Sequence, residues 1–384
     1  MSSPSALFVT TVPITLEAFL VPFAEHFRAL GWRIDALANG ASTHAPIADA
    51  FDARYDVAWS RNPLDPRNLI GSAAAVRGIV RASAYDIVHV HTPIAAFVTR
   101  WALRSLAPAK RPVVIYTAHG FHFYGGQTPL PHLLYRSLER LAAPWTDYLI
   151  TVNAEDERAA RAFGGIKPER VRRIPGIGVD VDRFTVGVVS LEEVAAVRDG
   201  LDVPADAFML TMIAEFSPAK RHEHLLSALT QVRDPRVMLV LVGDGSLEKD
   251  VRKLVKIFNL DTRVRFAGYR RDIPAILAAS DALVLVSERE GLNRSVLEAM
   301  AAARPVIGTA TRGIADAVSD GAGWIVPKCD TAALAAAIDS AAGNPLEAAR
   351  RGTAARERAE REFALPRIIA EYEELYREAL ASRV

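Results

Sequence analysis

A single cysteine, Cys329, stands in a chain of 384 residues. That excludes a disulfide framework within the chain and suits a reducing compartment, so a cytoplasmic location is expected. Cys/His pairs at zinc-binding spacing are missing, and no structural zinc module is expected. Net charge is nearly absent: 46 Lys and Arg against 45 Asp and Glu leave +1. A chain with so weak an overall field is not built around nucleic acid. No apolar run reaches the length of a membrane span, so any membrane contact is expected from the surface. The opening segment "MSSPSALFVTTVPITLEAFLVPF" has no basic leading region and is interrupted by Glu17. It reads as a first strand and a first helix, not as a signal peptide. Low-complexity segments and short-period repeats are also absent.

What is present is an ordinary globular composition, 50% hydrophobic and 24% charged. The length favours two domains. Short apolar or β-branched runs recur, each followed by a helical pattern: "ALFVTT", "RIDALA", "DIVHVH", "PVVIYTA" and "DYLITV", then "FMLTMIA", "RVMLVLVG", "RVRFAG", "ALVLVS" and "PVIGTA". Continuous apolar strands alternating with helices predict parallel sheets covered on both faces. The series breaks after "VRRIPGIGVDVDRF", where Pro175, Gly176 and Gly178 precede the polar helix "LEEVAAVRDG". A domain boundary near residue 184 follows. The expected fold is therefore α/β, with two doubly wound parallel-sheet domains in tandem. The segment 364–380 reads as an amphipathic helix with Pro366 in its first turn and Ile368, Ile369, Tyr372, Leu375 and Tyr376 on one face. Its place after the second domain leaves it free to cross back onto the first.

In doubly wound sheets ligands bind beyond the carboxyl ends of the strands, so the residues there are the candidates. After "ALVLVS" comes "EREGLNRSVLEAM". Gly291 permits a tight turn, and Asn293 suits the N-cap of a helix through Val296, Leu297 and Met300. The free N–H groups of that turn are a ready anion site. Glu290 stands before the helix and Glu298 within it, and a carboxylate accepts two hydrogen bonds from a vicinal diol. An anion site between two diol readers is a socket for a nucleotide-sugar; two solvated glutamates are the alternative. Lys220 and Arg221 are expected to open a helix after "FMLTMIA", where cations oppose the macrodipole and a phosphate would justify them. Two surface cations are the other reading. Gly243 and Gly245 mark a short turn, and Tyr269 or Arg270 could back a nucleobase. In the first half His89 and His91 share one face of a strand. His119, with Gly120 after it, follows another strand and could donate to a sugar hydroxyl or to developing charge. His89 and His122 read as core or loop residues, and His91 lies between the two readings.

These residues resemble the retaining family 4 glycosyltransferases, which have the two-domain GT-B fold. "EREGLNRSVLEAM" is similar to that family's E-x7-E motif. "YTAHGFHFY" and "TTVPITLEAFLVPF" resemble the branch that assembles bacterial exopolysaccharides and capsules. "RIPGIGVDVDRF" is similar to the interdomain segment, and "GAGWIVPKCDTAALAAAI" to the strand and helix after the motif. The resemblance implies an acceptor-side domain over residues 1–183, a donor-binding domain over 184–363 facing it across a central cleft, and a helix over 364–384 that packs back on the first. It implies that Glu298 binds the ribose hydroxyls, that Glu290 contacts the donor sugar, and that Gly291, Leu292 and Asn293 offer backbone N–H groups. Lys220 matches the lysine on the donor pyrophosphate, and His119 the histidine near the donor sugar. The family commonly has arginine five residues before that lysine; here Glu215 stands there, and Arg221 is the candidate replacement. Asn293 stands where proline is common, Ala303 where glycine is, and Asp316 where glutamate is. Pro13, Ile14 and Thr15 fill the loop where the family has a glycine pair.

The implied reaction is transfer of a sugar, with retention, from a nucleoside diphosphate donor, UDP by family habit, to an acceptor hydroxyl. The implied acceptor is a saccharide, lipid-linked in polysaccharide assembly. No metal or other cofactor is expected, because cations and dipoles cover the diphosphate. A soluble small-molecule acceptor, a same-fold nucleotide-sugar epimerase and a catalytically silent glycan-binding scaffold are the alternatives. Between residues 100 and 140, Arg100, Arg104, Lys110, Arg111, Arg136 and Arg140 face one acidic residue, Glu139. Phe121, Phe123, Tyr124, Leu133, Leu134 and Tyr135 are interleaved. Such a surface suits anionic lipid headgroups, hence peripheral attachment to the inner membrane leaflet; a solvated face over a normal core is the other reading.

Overall fold

The computed structural model of the chain describes residues 3–60, 62, 65–319 and 321–382. The chain forms two compact units, Met1–Ile177 together with Ile368–Val384, and Gly178–Arg367. The compact units divide at 177/178 and 367/368, a few residues from the expected 184 and 363. The cause is a backbone exchange: Val179 N donates to Phe363 O at 2.8 Å, and Leu365 N donates to Val179 O at 2.9 Å. That bridge ties both ends of the second unit to each other.

The first unit carries a seven-stranded sheet of β1 (Ser5–Val9), β2 (Arg33–Ala38), β3 (Arg54–Asp56), β4 (Ile87–Val90), β5 (Val113–Ala118), β6 (Tyr148–Thr151) and β7 (Val171–Arg173), in the order β3-β2-β1-β4-β5-β6-β7. The second carries β8 (Phe208–Ile213), β9 (Val237–Val242), β10 (Val264–Gly268), β11 (Ala282–Leu285), β12 (Val306–Thr309) and β13 (Gly323–Val326), in the order β10-β9-β8-β11-β12-β13. The pairings are parallel, with Ala6 opposite Ile87 in the first sheet and Ala282 opposite Leu210 in the second. Every residue of β1, β4, β5, β9 and β11 is buried, as two-sided coverage by helices requires. The ten apolar runs each hold a strand. The three-residue edge strands β3 and β7, "RYD" and "VRR", carry no apolar run and give the sequence reading nothing to find.

Each order reverses once, between β1 and β4 and between β8 and β11. At such a switch point the two following loops run in opposite directions and leave a crevice beyond the carboxyl ends of the strands. The loop after β8 leads to Lys220, the loop after β11 to Glu290, and the chain after β4 begins with His91.

The last helix, Leu365–Ala381, buries Ile368, Tyr372, Leu375, Tyr376 and Ala379. Ile369 of the expected face is only partly buried. From Ile368 onward the helix belongs to the first unit. There Tyr376 stacks on Phe27 with ring centroids 4.6 Å apart.

Candidate functional site

At the switch point of the second unit the loop after β11 is held from three sides. Glu288 N donates to Ala219 O at 2.8 Å, Thr309 Oγ1 donates to Ser287 O at 2.8 Å, and Arg312 Nε donates to Glu290 O at 3.1 Å. Gly313 lies so close that a Cβ built on it would sit 1.7 Å from Gly291 O. Asn293 caps the helix Arg294–Ala301 as its sequence suggests: its side chain accepts from Val296 N at 3.2 Å and from Ser295 Oγ at 2.7 Å. Ser295 Oγ also lies 3.0 Å from Ile213 O, which ties the helix to the end of β8. Because the cap consumes the Val296 N–H, the N–H groups left for an anion lie further out. Among the described residues the N–H groups of Leu292 and Asn293 have no partner.

Lys220 and Arg221 do not open a helix. Pro218–Lys220 forms a single 3-10 turn, and Arg221, at φ 50°, is the left-handed residue before the helix His222–Leu229. They therefore sit ahead of the helix, and their partners are carboxylates. Lys220 Nζ meets Glu290 Oε1 at 2.5 Å, with both side chains largely buried. Arg221 pairs with Glu288 at 2.6 Å and with Glu223 at 3.3 Å. Glu298 is buried and not presented openly; Arg294 Nε holds its Oε1 at 2.7 Å. Burial raises the Glu298 carboxyl above its usual range, and the charges of Arg294 and Arg183 pull it part of the way back.

The remaining donor-side candidates divide. Gly243, at φ 140°, lets the chain after β9 approach Ala214 O, where a Cβ would lie at 2.2 Å, and its N–H donates to Gly268 O. Tyr269 extends into solvent, and Arg270 is locked to Asp272, so neither bonds to the residues around Glu290. Glu215 is exposed. Ala303, in the usual glycine position, adopts the left-handed backbone at φ 54°.

In the first unit the carboxyl ends of β4 and β5 bring three histidines together. His89 is fully engaged: Nδ1 meets Tyr376 OH at 2.5 Å and Nε2 meets Thr117 Oγ1 at 2.8 Å, while Tyr372 OH reaches the same threonine at 3.1 Å. His91 lies 4.0 Å from His89 ring to ring, and its Nδ1 is 3.2 Å from His119 Nε2. Gly120, at φ 127°, turns the chain just after His119. Burial pushes the His119 imidazole down to about 4 and holds His89 and His91 well below the usual histidine value, so all three are neutral at pH 7. His122 keeps its loop place beside Tyr135.

The expected basic face is smaller than its sequence. Arg100 is buried and paired with Glu139 at 2.9 Å, and Arg111 is paired with Asp147. Both neutralise carboxylates that the fold brings in. Phe121 and Phe123 are core residues, while Tyr124, Leu134 and Tyr135 are half-buried. Arg104, Lys110, Arg136 and Arg140 remain exposed, along with Leu130, Leu133 and Leu141 of the helix Pro129–Ala142. No helix of the described residues is long and apolar enough to cross a membrane.

Sequence reading missed Glu288, Arg294, Arg312 and Gly313. Arg294 was within reach, since it stands one helical turn before Glu298 on the same face. Arg312 and Gly313 act through the fold and leave no local signal.

Two doubly wound parallel-sheet units in one chain, each with a polar cluster at its switch point, define a protein of the GT-B class. The solved structure of Anabaena HepE in complex with UDP and glucose has the same fold, with a TM-score of 0.81 at 21% identity over 98% of this chain and 100% of that one. Residues 16–183 match the family described as Glycosyltransferase Family 4, and residues 195–358 match Glycosyl transferases group 1. The chain belongs to the family 4 glycosyltransferases. It is 34% identical to EpsD of Bacillus subtilis over 374 residues, 96% of this chain and 95% of that protein. It is 31% identical over 234 residues, 60% of this chain and 59% of the other, to the UDP-Gal:alpha-D-GlcNAc-diphosphoundecaprenol alpha-1,3-galactosyltransferase of Escherichia coli.

Proposed function

We propose that this glycosyltransferase moves a sugar from a UDP-linked donor to a hydroxyl of a lipid-linked saccharide, with retention, in the assembly of a bacterial polysaccharide. The observation that carries the reading is the Lys220–Glu290 pair at 2.5 Å, set at the switch point one loop away from the buried Glu298. Cation, sugar reader and ribose reader then share one crevice of one unit. The E. coli relative's lipid-linked acceptor and the UDP bound to HepE support the choice of substrates.

The bond between the anomeric carbon and the donor phosphate breaks, and a bond to the acceptor oxygen forms on the same face. The acceptor proton passes to the departing phosphate oxygen. Lys220, Arg221 and the N–H groups of Leu292 and Asn293 meet the charge that grows on the diphosphate. Glu290 orients the sugar as it flattens, and His119, at the switch point of the first unit, offers its N–H to a sugar hydroxyl. The diphosphate is covered by these groups without a metal, so transfer is expected to persist in EDTA. The exposed Leu130, Leu133 and Leu141, flanked by Arg136 and Arg140, form an apolar and cationic face suited to anionic lipid at the inner membrane leaflet. Flotation with anionic liposomes tests it, and failure to float removes the membrane part of the reading.

The deciding experiment is binding and transfer across a panel of UDP-, GDP-, ADP- and TDP-sugars, wild type beside Glu298→Ala. One preferred donor whose binding is lost in the variant is the expected result. No donor bound, or an unchanged variant, overturns the reading.

A further inference from the structure

The His91–His119 contact allows two proton arrangements, and the surroundings of His91 choose between them. Either His119 Nε2–H donates to His91 Nδ1, or His91 Nδ1–H donates to His119 Nε2 across the 3.2 Å separation. In the first arrangement His91 carries its proton on Nε2. That nitrogen is buried and has no partner among the described residues, and His91 borders a small cavity lined by Phe8, Leu20, Phe23 and Ile177 with His89, His119, Tyr372 and Tyr376; the two tyrosine hydroxyls bond to Thr117 and His89 instead. An N–H left there would be an orphaned buried donor. In the second arrangement Nε2 holds only a lone pair. Orphaned buried N–H groups are the rarer and costlier case. His119 Nδ1 makes no hydrogen bond to any described residue.

We propose that His91 is a positioning residue: it donates Nδ1–H to His119 Nε2, which fixes the His119 proton on Nδ1 and presents that N–H as a hydrogen-bond donor to an oxygen of a bound sugar. This rests on the transferase reading for the identity of the sugar, though not for the proton arrangement. The surroundings make the arrangement rigid. His89, pinned by Tyr376 and Thr117, backs His91 at 4.0 Å, and Phe19 lies against the outer side of His119 with ring centroids 5.5 Å apart. Burial keeps both rings neutral, so the tautomer and not the charge is what His91 sets.

Three substitutions separate this from a packing role. His91→Asn keeps an N–H near the Nδ1 position, His91→Gln places its amide near Nε2 instead, and His91→Phe keeps the ring without a donor. The tautomer of His119 is read by long-range 1H–15N NMR on the full chain, with the His119 signal identified by its loss in His119→Asn. In the wild type and His91→Asn, His119 is expected to carry its proton on Nδ1. In His91→Phe and His91→Gln it shifts toward Nε2–H, and kcat falls about tenfold, the weight of roughly one hydrogen bond, while the donor KM stays within about twofold. A wild-type His119 protonated on Nε2, a tautomer unmoved by His91→Phe and His91→Gln, or a His91→Asn variant as impaired as His91→Phe overturns the proposal. If the wild type transfers sugar from no donor, the transferase reading falls, and the NMR result still decides the His91 assignment.

Discussion

Replacing Gly313 by alanine is a sharp test of how the donor loop is held. The new Cβ would lie 1.7 Å from Gly291 O, 2.5 Å from Gly291 C and 3.1 Å from Leu292 Cα. Ordinary contact begins at about 3.4 Å, so one of the two backbones must retreat by roughly 1.5 Å. No side chain can absorb this, because the atoms struck are main chain. The helix Arg312–Val318 buries Gly313, Ile314, Ala317 and Val318, while the loop residues 288–292 are only partly buried. The loop is the softer partner and is expected to move, taking Glu290 from Lys220 and straining the Arg312–Glu290 O contact. Overpacking of this kind costs about 1–3 kcal/mol. A shift on the order of 1 Å at a reacting group costs about 100-fold in rate. The assay is calorimetric titration with the preferred nucleotide-sugar and steady-state transfer, alongside thermal unfolding. Gly78→Ala is the control: nothing lies within 4 Å of its Cβ, and an alanine inside the helix Ala73–Ser83 stabilises by about 0.5–1 kcal/mol. A Gly313→Ala enzyme whose donor affinity and turnover stay within about twofold of wild type would refute the claim that this contact sets the loop.

Glu298→Gln gives a pH signature. The folded carboxyl titrates above its ordinary value of 4.5, so the folded chain keeps a proton that the unfolded chain has released. Stability is therefore full below about 4.5 and declines as pH rises through the folded value. The variant removes that decline: its melting temperature is expected to exceed the wild type's at pH 7.5 and to match it at pH 4, while nucleotide binding weakens; a lower melting temperature at pH 7.5 contradicts the assignment. Glu290→Gln frees Lys220 from its 2.5 Å partner, so UDP alone is expected to bind several-fold more tightly while sugar transfer slows. Weaker UDP binding in calorimetry would show that Lys220 needs Glu290 to hold its place.

The parts of the fold that were legible are those driven by burial. Ten apolar runs mark ten strands because a strand covered on both faces has little room for polar side chains, and the spacing of Ile368, Tyr372, Leu375 and Tyr376 marks the last helix for the same reason. Asn293 was legible as a cap because capping is local chemistry. The edge strands β3 and β7 were not, since backbone pairing at a sheet edge asks little of side chains. The division at 177/178 was not legible because it depends on Val179 meeting Phe363 and Leu365, a pairing across nearly the whole second unit that leaves no mark near residue 178. Arg100 looked like surface charge because its partner Glu139 is 39 residues away. The candidate site shows the same division. Lys220, Glu290 and Glu298 could be named from their places after strands, and the i, i+4 partner Arg294 of Glu298 was within local reach, but the Lys220–Glu290 pairing, 70 residues apart, was not.

That pairing separates the chemistry of the two switch points. In the second unit each candidate cation already meets a carboxylate of the same chain: Lys220 with Glu290, Arg221 with Glu288 and Glu223, Arg294 with Glu298. A diphosphate arriving there does not fill a bare positive pocket. On the proposed reading it competes with fixed carboxylates, so charge is exchanged instead of being buried unpaired, and its affinity is expected to depend on how readily Glu290 leaves Lys220. In the first unit the switch point holds no ion pair among its histidines; His89, His91 and His119 are desolvated and neutral, joined to one another and to hydroxyls. A neutral, oriented N–H suits a sugar oxygen, whose charge changes little, whereas exchangeable ion pairs suit a leaving group whose charge grows. On the proposed reading, a substitution that puts a fixed charge beside His119, such as Phe19→Glu, is expected to raise the His119 pKa and slow transfer without changing UDP affinity.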